Sequence, residues 1–227
     1  MKTRLYALAL AAMALIAQVM SAGAVSEAPG DTVIRFPDPA FEEGVRDAIG
    51  KPAGDITIGD VAGIEELYVS GLGIADLTGI EYFTALKLLA CRQNMLTALD
   101  VGRNAGLEEL YCCMNRLTTL NVSRNSALIG LECEENFLTA LDVSGNPALV
   151  WLWCDYNLLT ALDVSGNPAL RGLSFDYNQL TALDVSRNIA LERLDCHNNF
   201  IPDTSAITGL DKTNLLDFRF CPQANQP

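Results

Sequence analysis

Leu86, Leu107, Leu128, Leu149, Leu170 and Leu191 stand 21 residues apart, and each opens the same phrase, roughly L-x-x-L-x-C-x-x-N-x-L-T-x-L-D-V-S-x-N-x-A. Such a period excludes a fold built around one closed core. A unit this short cannot bury its apolar residues alone, so consecutive units must stack and share them. Within the phrase, L-x-x-L-x-C alternates fixed apolar positions with variable ones and reads as a short strand with one buried face. The N and D-V-S-x-N stretches that follow carry side chains suited to bonding backbone in tight turns.

Period and phrase match the leucine-rich-repeat signature. The expected fold is an α/β solenoid: a leucine-rich-repeat horseshoe with a parallel sheet on the concave face and a small N-terminal helical cap. Residues 64–214 hold the repeats, a 22-residue variant starting at Ile64 and six of about 21 residues. Residues 25–63 read as a leader and cap. There Asp38 is an N-cap, Pro39 suits the first helical position, Glu42 and Glu43 suit the positive helix end, and Gly50 ends the helix. Phe41, Val45, Ala48 and Ile49 supply its apolar face. Residues 215–227 read as a final cap strand and polar tail. Asn94, Asn115, Asn136, Asn157, Asn178 and Asn199 form a ladder expected to satisfy backbone groups at the turn. Asp142, Ser144, Asn146 and their counterparts are expected to bond local backbone.

Residues 1–24 read as a secretory signal: Lys2 and Arg4, then the apolar run from Leu5 to Val19, then Ala22-Gly23-Ala24. The run is too short for a transmembrane helix. The remainder is expected to be secreted, with no membrane span and at most a loose association with the cell surface. The net charge is −13, and removing Lys2 and Arg4 makes the chain more acidic still. Such a surface repels nucleic acid and anionic membranes. It suits a basic partner, a cation or a neutral glycan, and it serves solubility.

Seven cysteines in an exported chain ordinarily suggest disulfides. Here Cys91, Cys112, Cys133, Cys154 and Cys196 share one repeat position, which Val69 and Phe175 fill elsewhere. Apolar stand-ins mark a core position, so the expectation is a ladder of buried thiols about 4.8 Å apart. Cys113 and Cys221 follow that position by one residue and are expected to face solvent. They should lie about 24 Å apart, beyond disulfide reach.

The cysteine-bearing phrase resembles the internalin family of bacterial surface proteins, in particular its members with a cysteine ladder. The stretch FPDPAFEEGVRDAIGKPAGDIT is similar to the helical cap that opens internalin-type repeat domains. The resemblance spans about Phe36 to Phe220. It implies extracellular recognition of host proteins or mucins. The chain is expected to act as a small released member, or as an environmental relative with no host, without an Ig-like domain, mucin-binding module or wall anchor after the repeats.

Ligand contact is expected at the variable strand positions, which point out from the concave face. The candidate binding residues are Tyr111, Glu132, Glu134, Trp151, Trp153, Asp155, Asp176 and Asp195, with Tyr156 and Tyr177 nearby. Both tryptophans of the chain fall in one strand. Tryptophan and tyrosine are enriched at binding hot spots, and their faces also stack on sugars; the alternative is that the rings lie flat and merely cover the sheet. Glu134, Asp155 and Asp176 share one position in consecutive repeats, and like charges on neighbouring strands repel. Ca²⁺, a basic partner group, or water and salt would compensate. No calcium loop is present, no metal site is assigned and no cofactor is expected. His197 has no nucleophile set around it, and an open sheet lacks the closed site that glycoside hydrolysis by paired carboxylates requires, so no catalysis is expected. The sequence thus points to a partner that is an extracellular protein or glycoprotein, basic or mucin-like. Its alternatives are a cation-dependent glycan or mucin adhesin and a structural envelope protein.

Overall fold

Seven strands of the main sheet turn a leucine inward at their centre: Leu67, Leu89, Leu110, Leu131, Leu152, Leu173 and Leu194 are at most 1 % exposed. The computed structural model describes residues 29–220, so the signal segment, Cys221 and the polar tail lie outside the described residues. Strands β1 (Glu66–Tyr68), β2 (Leu88–Ala90), β3 (Glu109–Tyr111), β4 (Gly130–Glu132), β5 (Trp151–Trp153) and β6 (Gly172–Ser174) run in parallel order. The sheet continues through β8 (Arg193–Asp195) and β10 (Asp217–Arg219) to make eight strands. The return segments hold the short parallel pair β7 (Leu183–Asp184) and β9 (Ile207–Thr208). This is a leucine-rich-repeat solenoid, with few helices and its parallel sheet on the concave face. No helix among the described residues is long and apolar enough to cross a membrane.

The register follows the repeat, Leu89 beside Leu110 and Leu131 beside Leu152, so each fixed position of the phrase becomes a stack. Leucines, valines and the ladder cysteines fill the interior as one cluster. Cys91, Cys112, Cys133, Cys154 and Cys196 are all free and buried. Burial pushes the Cys91 and Cys196 thiols up to about 12. They stay protonated at neutral pH and act as small apolar groups.

The asparagine after each strand closes the turn. Asn157 Nδ2 donates to the carbonyls of Cys133, Cys154 and Asp155, at 3.0–3.1 Å, while its Oδ1 accepts the Leu138 N–H at 3.0 Å. The variant first repeat has Leu72 at this place; Asn94 of the next repeat accepts its Ile74 amide, as each ladder asparagine does for the repeat before it, and the Leu72 amide as well. One residue before each ladder asparagine the backbone turns left-handed, at Gln93, Met114, Glu135, Tyr156, Tyr177 and Asn198, with φ of 51–55°. Side chains rarely adopt this conformation, so the asparagine bonds hold a strained turn in each of the six regular repeats, whereas the variant first repeat has Gly71 there.

The convex turn departs from expectation. Asp142 does bond locally, accepting the Ser144 N–H at 2.9 Å. Asn146, however, reaches back one repeat and donates to Val122 and Asn125 carbonyls at 3.0 and 2.8 Å. Asn104, Asn125, Asn167 and Asn188 do the same. The chain therefore has two asparagine ladders that tie repeat to repeat.

At the N-terminal end the helix Pro39–Ile49 buries Phe41 and Val45 against the first repeat. Asp38 joins the two. Its Oδ1 caps the helix at the Ala40 and Phe41 amides, and its Oδ2 accepts the Ala75 and Asp76 amides at 2.7 and 3.1 Å.

Candidate functional site

The pleat sends the two residues flanking each buried leucine to the concave surface. Register then arranges them in rows across the sheet. One row reads Glu109, Gly130, Trp151, Gly172, Arg193, and the next reads Tyr111, Glu132, Trp153, Ser174, Asp195. Trp151 thus has a bare glycine on each side. Its ring leans over Gly172, where a Cβ would run into Cε3 and Cζ3 of the indole. On the other side a Cβ at Gly130 would meet only Glu109 Cγ, at 3.8 Å. The tilt leaves a hollow of about 520 Å³ above Gly130, walled by Glu109, Tyr111, Glu132, Trp151, Trp153 and Arg193. Trp151 lies flat and half-buried, whereas Trp153 stands more exposed, at 37 %.

Arg92 reaches across two strands to this wall. Its guanidinium lies 4.2 Å from the Tyr111 ring centre and bonds Glu132 Oε2 at 2.5 Å. Arg92 also bears on Cys113. Cys113 points to the concave side but is buried, 8 % exposed, rather than facing solvent. It is a small side chain between two long ones, Arg92 and Glu134, and its sulfur lies within 4.8 Å of carboxylate oxygens of Glu132 and Glu134. Burial pushes its thiol up to about 11, with Glu134 adding to the effect.

The acidic stripe is accommodated mainly by the protein's own donors. Asp155 Oδ1 accepts the Ser174 hydroxyl at 2.5 Å and the Asp176 N–H at 2.6 Å. Asp176 Oδ1 accepts the Tyr177 N–H at 2.8 Å and Asn198 Nδ2 at 3.0 Å, and its Oδ2 lies 2.9 Å from His197 Nε2. His197 Nδ1 in turn contacts Asp195 Oδ1. Burial pushes both the Asp155 and the Asp176 carboxyls up.

Glu134 is the least satisfied member: its Oε2 is buried without a partner among the described residues. Burial, with Glu132 and Asp155 nearby, pushes its carboxyl from 4.5 up to about 7. Folding therefore favours the protonated form. The stability this group contributes is complete below its unfolded pKa and is lost as pH rises through about 7. One unit is worth about 1.4 kcal/mol, and partial exposure screens it, so the expected loss between about pH 5 and pH 8 is roughly 1–2 kcal/mol. Glu134→Gln should remove that slope in denaturant unfolding at the two pH values. An unchanged slope in the variant would contradict the assignment.

The ten sequence-selected residues thus divide. Tyr111, Glu132, Trp151 and Trp153 meet at the hollow. Asp155, Asp176 and Asp195 cluster with His197, and Glu134 lies between the groups. Tyr156 and Tyr177 occupy the left-handed turn beyond the strands, stacked at 4.3 Å between ring centres and half exposed. Glu109, Gly130 and Arg193 complete the hollow beyond those ten residues, and Arg92 braces it. Their outward positions were readable in the strand pattern; their convergence was not.

No protein-family model and no curated protein matches the chain. Solved structures do. The functional domain of InlJ from Listeria monocytogenes, which includes a cysteine ladder, aligns at 28% identity and a TM-score of 0.52, over 82% of this chain and 60% of that one. Internalin InlF from the same organism aligns at 22% identity and a TM-score of 0.63, over 87% of this chain and 66% of that one. Internalin C2, also from Listeria monocytogenes, aligns at 22% identity and a TM-score of 0.64, over 87% of this chain and all of that one. The chain therefore spans under two thirds of the first two relatives. In its 21-residue period, its buried thiol ladder and its capped parallel leucine-rich-repeat solenoid, the chain is similar to these internalin structures.

Proposed function

We propose that this protein recognises an extracellular protein or glycoprotein through its concave face, anchored at the hollow beside Trp151 and Trp153. The observation that carries the reading is the hollow itself, about 520 Å³ with aromatic walls and charged groups of both signs at its edge. Aromatic side chains bury large areas at low entropic cost, and they dominate binding where a partner excludes water around them. The internalin-like fold supports protein recognition in general. The signal-like residues 1–24 support an exported protein, and the charge of −13 supports a partner with basic groups. The reading is of a binding protein, with no catalytic step.

The test is a binding screen of the full chain on immobilised mucin, a glycan array and a panel of purified extracellular proteins. The strongest binder found is then titrated against Trp153→Ala. The expected result is about tenfold weaker binding with an unchanged circular dichroism spectrum. Selection of a glycan would favour stacking on sugars, and selection of a protein would favour a side-chain anchor. Undiminished binding by the variant, or no binder in any panel, would leave the concave face a structural surface and defeat the proposal.

A further inference from the structure

His197, the only histidine of the chain, lies two residues beyond the end of β8 with each ring nitrogen facing a carboxylate. Asp176 comes from the preceding repeat, and Asp195 is the last residue of β8, two residues before His197. One ligand atom from each of the three lies within 4.8 Å of the other two. Asp176 is held in a particular way. Its Oδ1 is fixed by the Tyr177 N–H and by Asn198 Nδ2, which leaves Oδ2 turned to His197 Nε2 at 2.9 Å. The Tyr177 ring packs edge-on against the imidazole at 6.2 Å and limits its rotation.

We propose that Asp176 and His197 form a binding site for a divalent transition metal of the zinc or cobalt class. Asp176 Oδ2 and His197 Nε2 are the protein ligands, and Asp195 orients the ring through Nδ1. Nitrogen and oxygen donors at about 2.0–2.2 Å on a tetrahedral ion stand roughly 3.3 Å apart, so the present pair needs to part by only about 0.4 Å. A carboxylate on the far ring nitrogen of a metal-bound histidine is the usual arrangement; it fixes the tautomer and raises the basicity of the ligating nitrogen. Asn198 and the Tyr177 amide do the equivalent for Asp176. The mixed imidazole and carboxylate set favours a borderline metal over Ca²⁺, which prefers six or more oxygens. With two protein ligands the remaining positions stay open to solvent or to a donor from a bound partner. The site is independent of the hollow at Trp151.

The test is titration of the metal-free full chain with Co²⁺, followed by absorbance and calorimetry, with Zn²⁺ as competitor. The expected result is one equivalent bound in the micromolar range, with ligand-field bands and no thiolate-to-cobalt charge-transfer band. His197→Gln, which keeps a hydrogen-bonding side chain, and Asp176→Asn should weaken binding at least 30-fold. Asp195→Asn should weaken it about tenfold. Circular dichroism checks that each variant is folded. No saturable uptake below millimolar Co²⁺, undiminished binding by His197→Gln, or a thiolate band would each overturn the site.

Discussion

Asn157→Ala is expected to lower the unfolding free energy by about 3–4 kcal/mol, a large share of the roughly 5–15 kcal/mol available to a domain. The side chain makes four hydrogen bonds in a buried turn. Alanine would strip the Leu138 amide, which lies beside a fully buried side chain. The Cys133 carbonyl keeps a bond from Asn136, and the Cys154 carbonyl keeps one from Asn178, so the cost falls mainly on the amide. The change would also release the left-handed turn at Tyr156, whose φ is 52°. Asn146→Ala on the convex ladder provides the comparison. That side chain donates two bonds, and its Oδ1 has no partner among the described residues. Its loss should cost about 1–2 kcal/mol. Urea unfolding of the two variants measures the difference. Equal losses would mean that the strand-end ladder carries no special burden.

The same two ladders mark the limit of what a sequence discloses. The 21-residue period, the alternation in each strand and the apolar stand-ins Val69 and Phe175 are local facts, and they were sufficient for the solenoid and its thiol core. The reach of Asn146 to the previous repeat was not legible, because the same residue type bonds locally or distantly depending on where the coil brings its neighbour. Cys113 failed for a related reason. Its outward direction follows from the pleat, but its burial depends on Arg92 folding over from another strand to Glu132. Glycines were the least informative. Gly130 and Gly172 read as empty positions in the phrase, yet they decide which way the Trp151 ring tilts and hence where the hollow opens. The pairing of His197 with Asp176 likewise joins residues 21 positions apart whose proximity is a matter of register.

The central claim is that the concave hollow is where a ligand is anchored, and Gly130 allows it to be tested without disturbing the rings. A Cβ there has a single neighbour within 4 Å, Glu109 Cγ at 3.8 Å, and Gly130 is not among the residues with positive φ. A leucine at this position should therefore fold normally and fill the space beside Trp151. Hot-spot cavities of this kind contribute about 2–4 kcal/mol to binding, so occlusion should weaken it roughly 100-fold, and Trp151→Ala/Trp153→Ala should match it by removing the walls. The decisive measurement is the dissociation constant of Gly130→Leu, against that of the unaltered protein, for the strongest binder found on the mucin, glycan and protein panels. A 100-fold loss with an unchanged unfolding midpoint is the predicted result. Equal affinity in the filled variant would place recognition elsewhere on the solenoid and contradict the account.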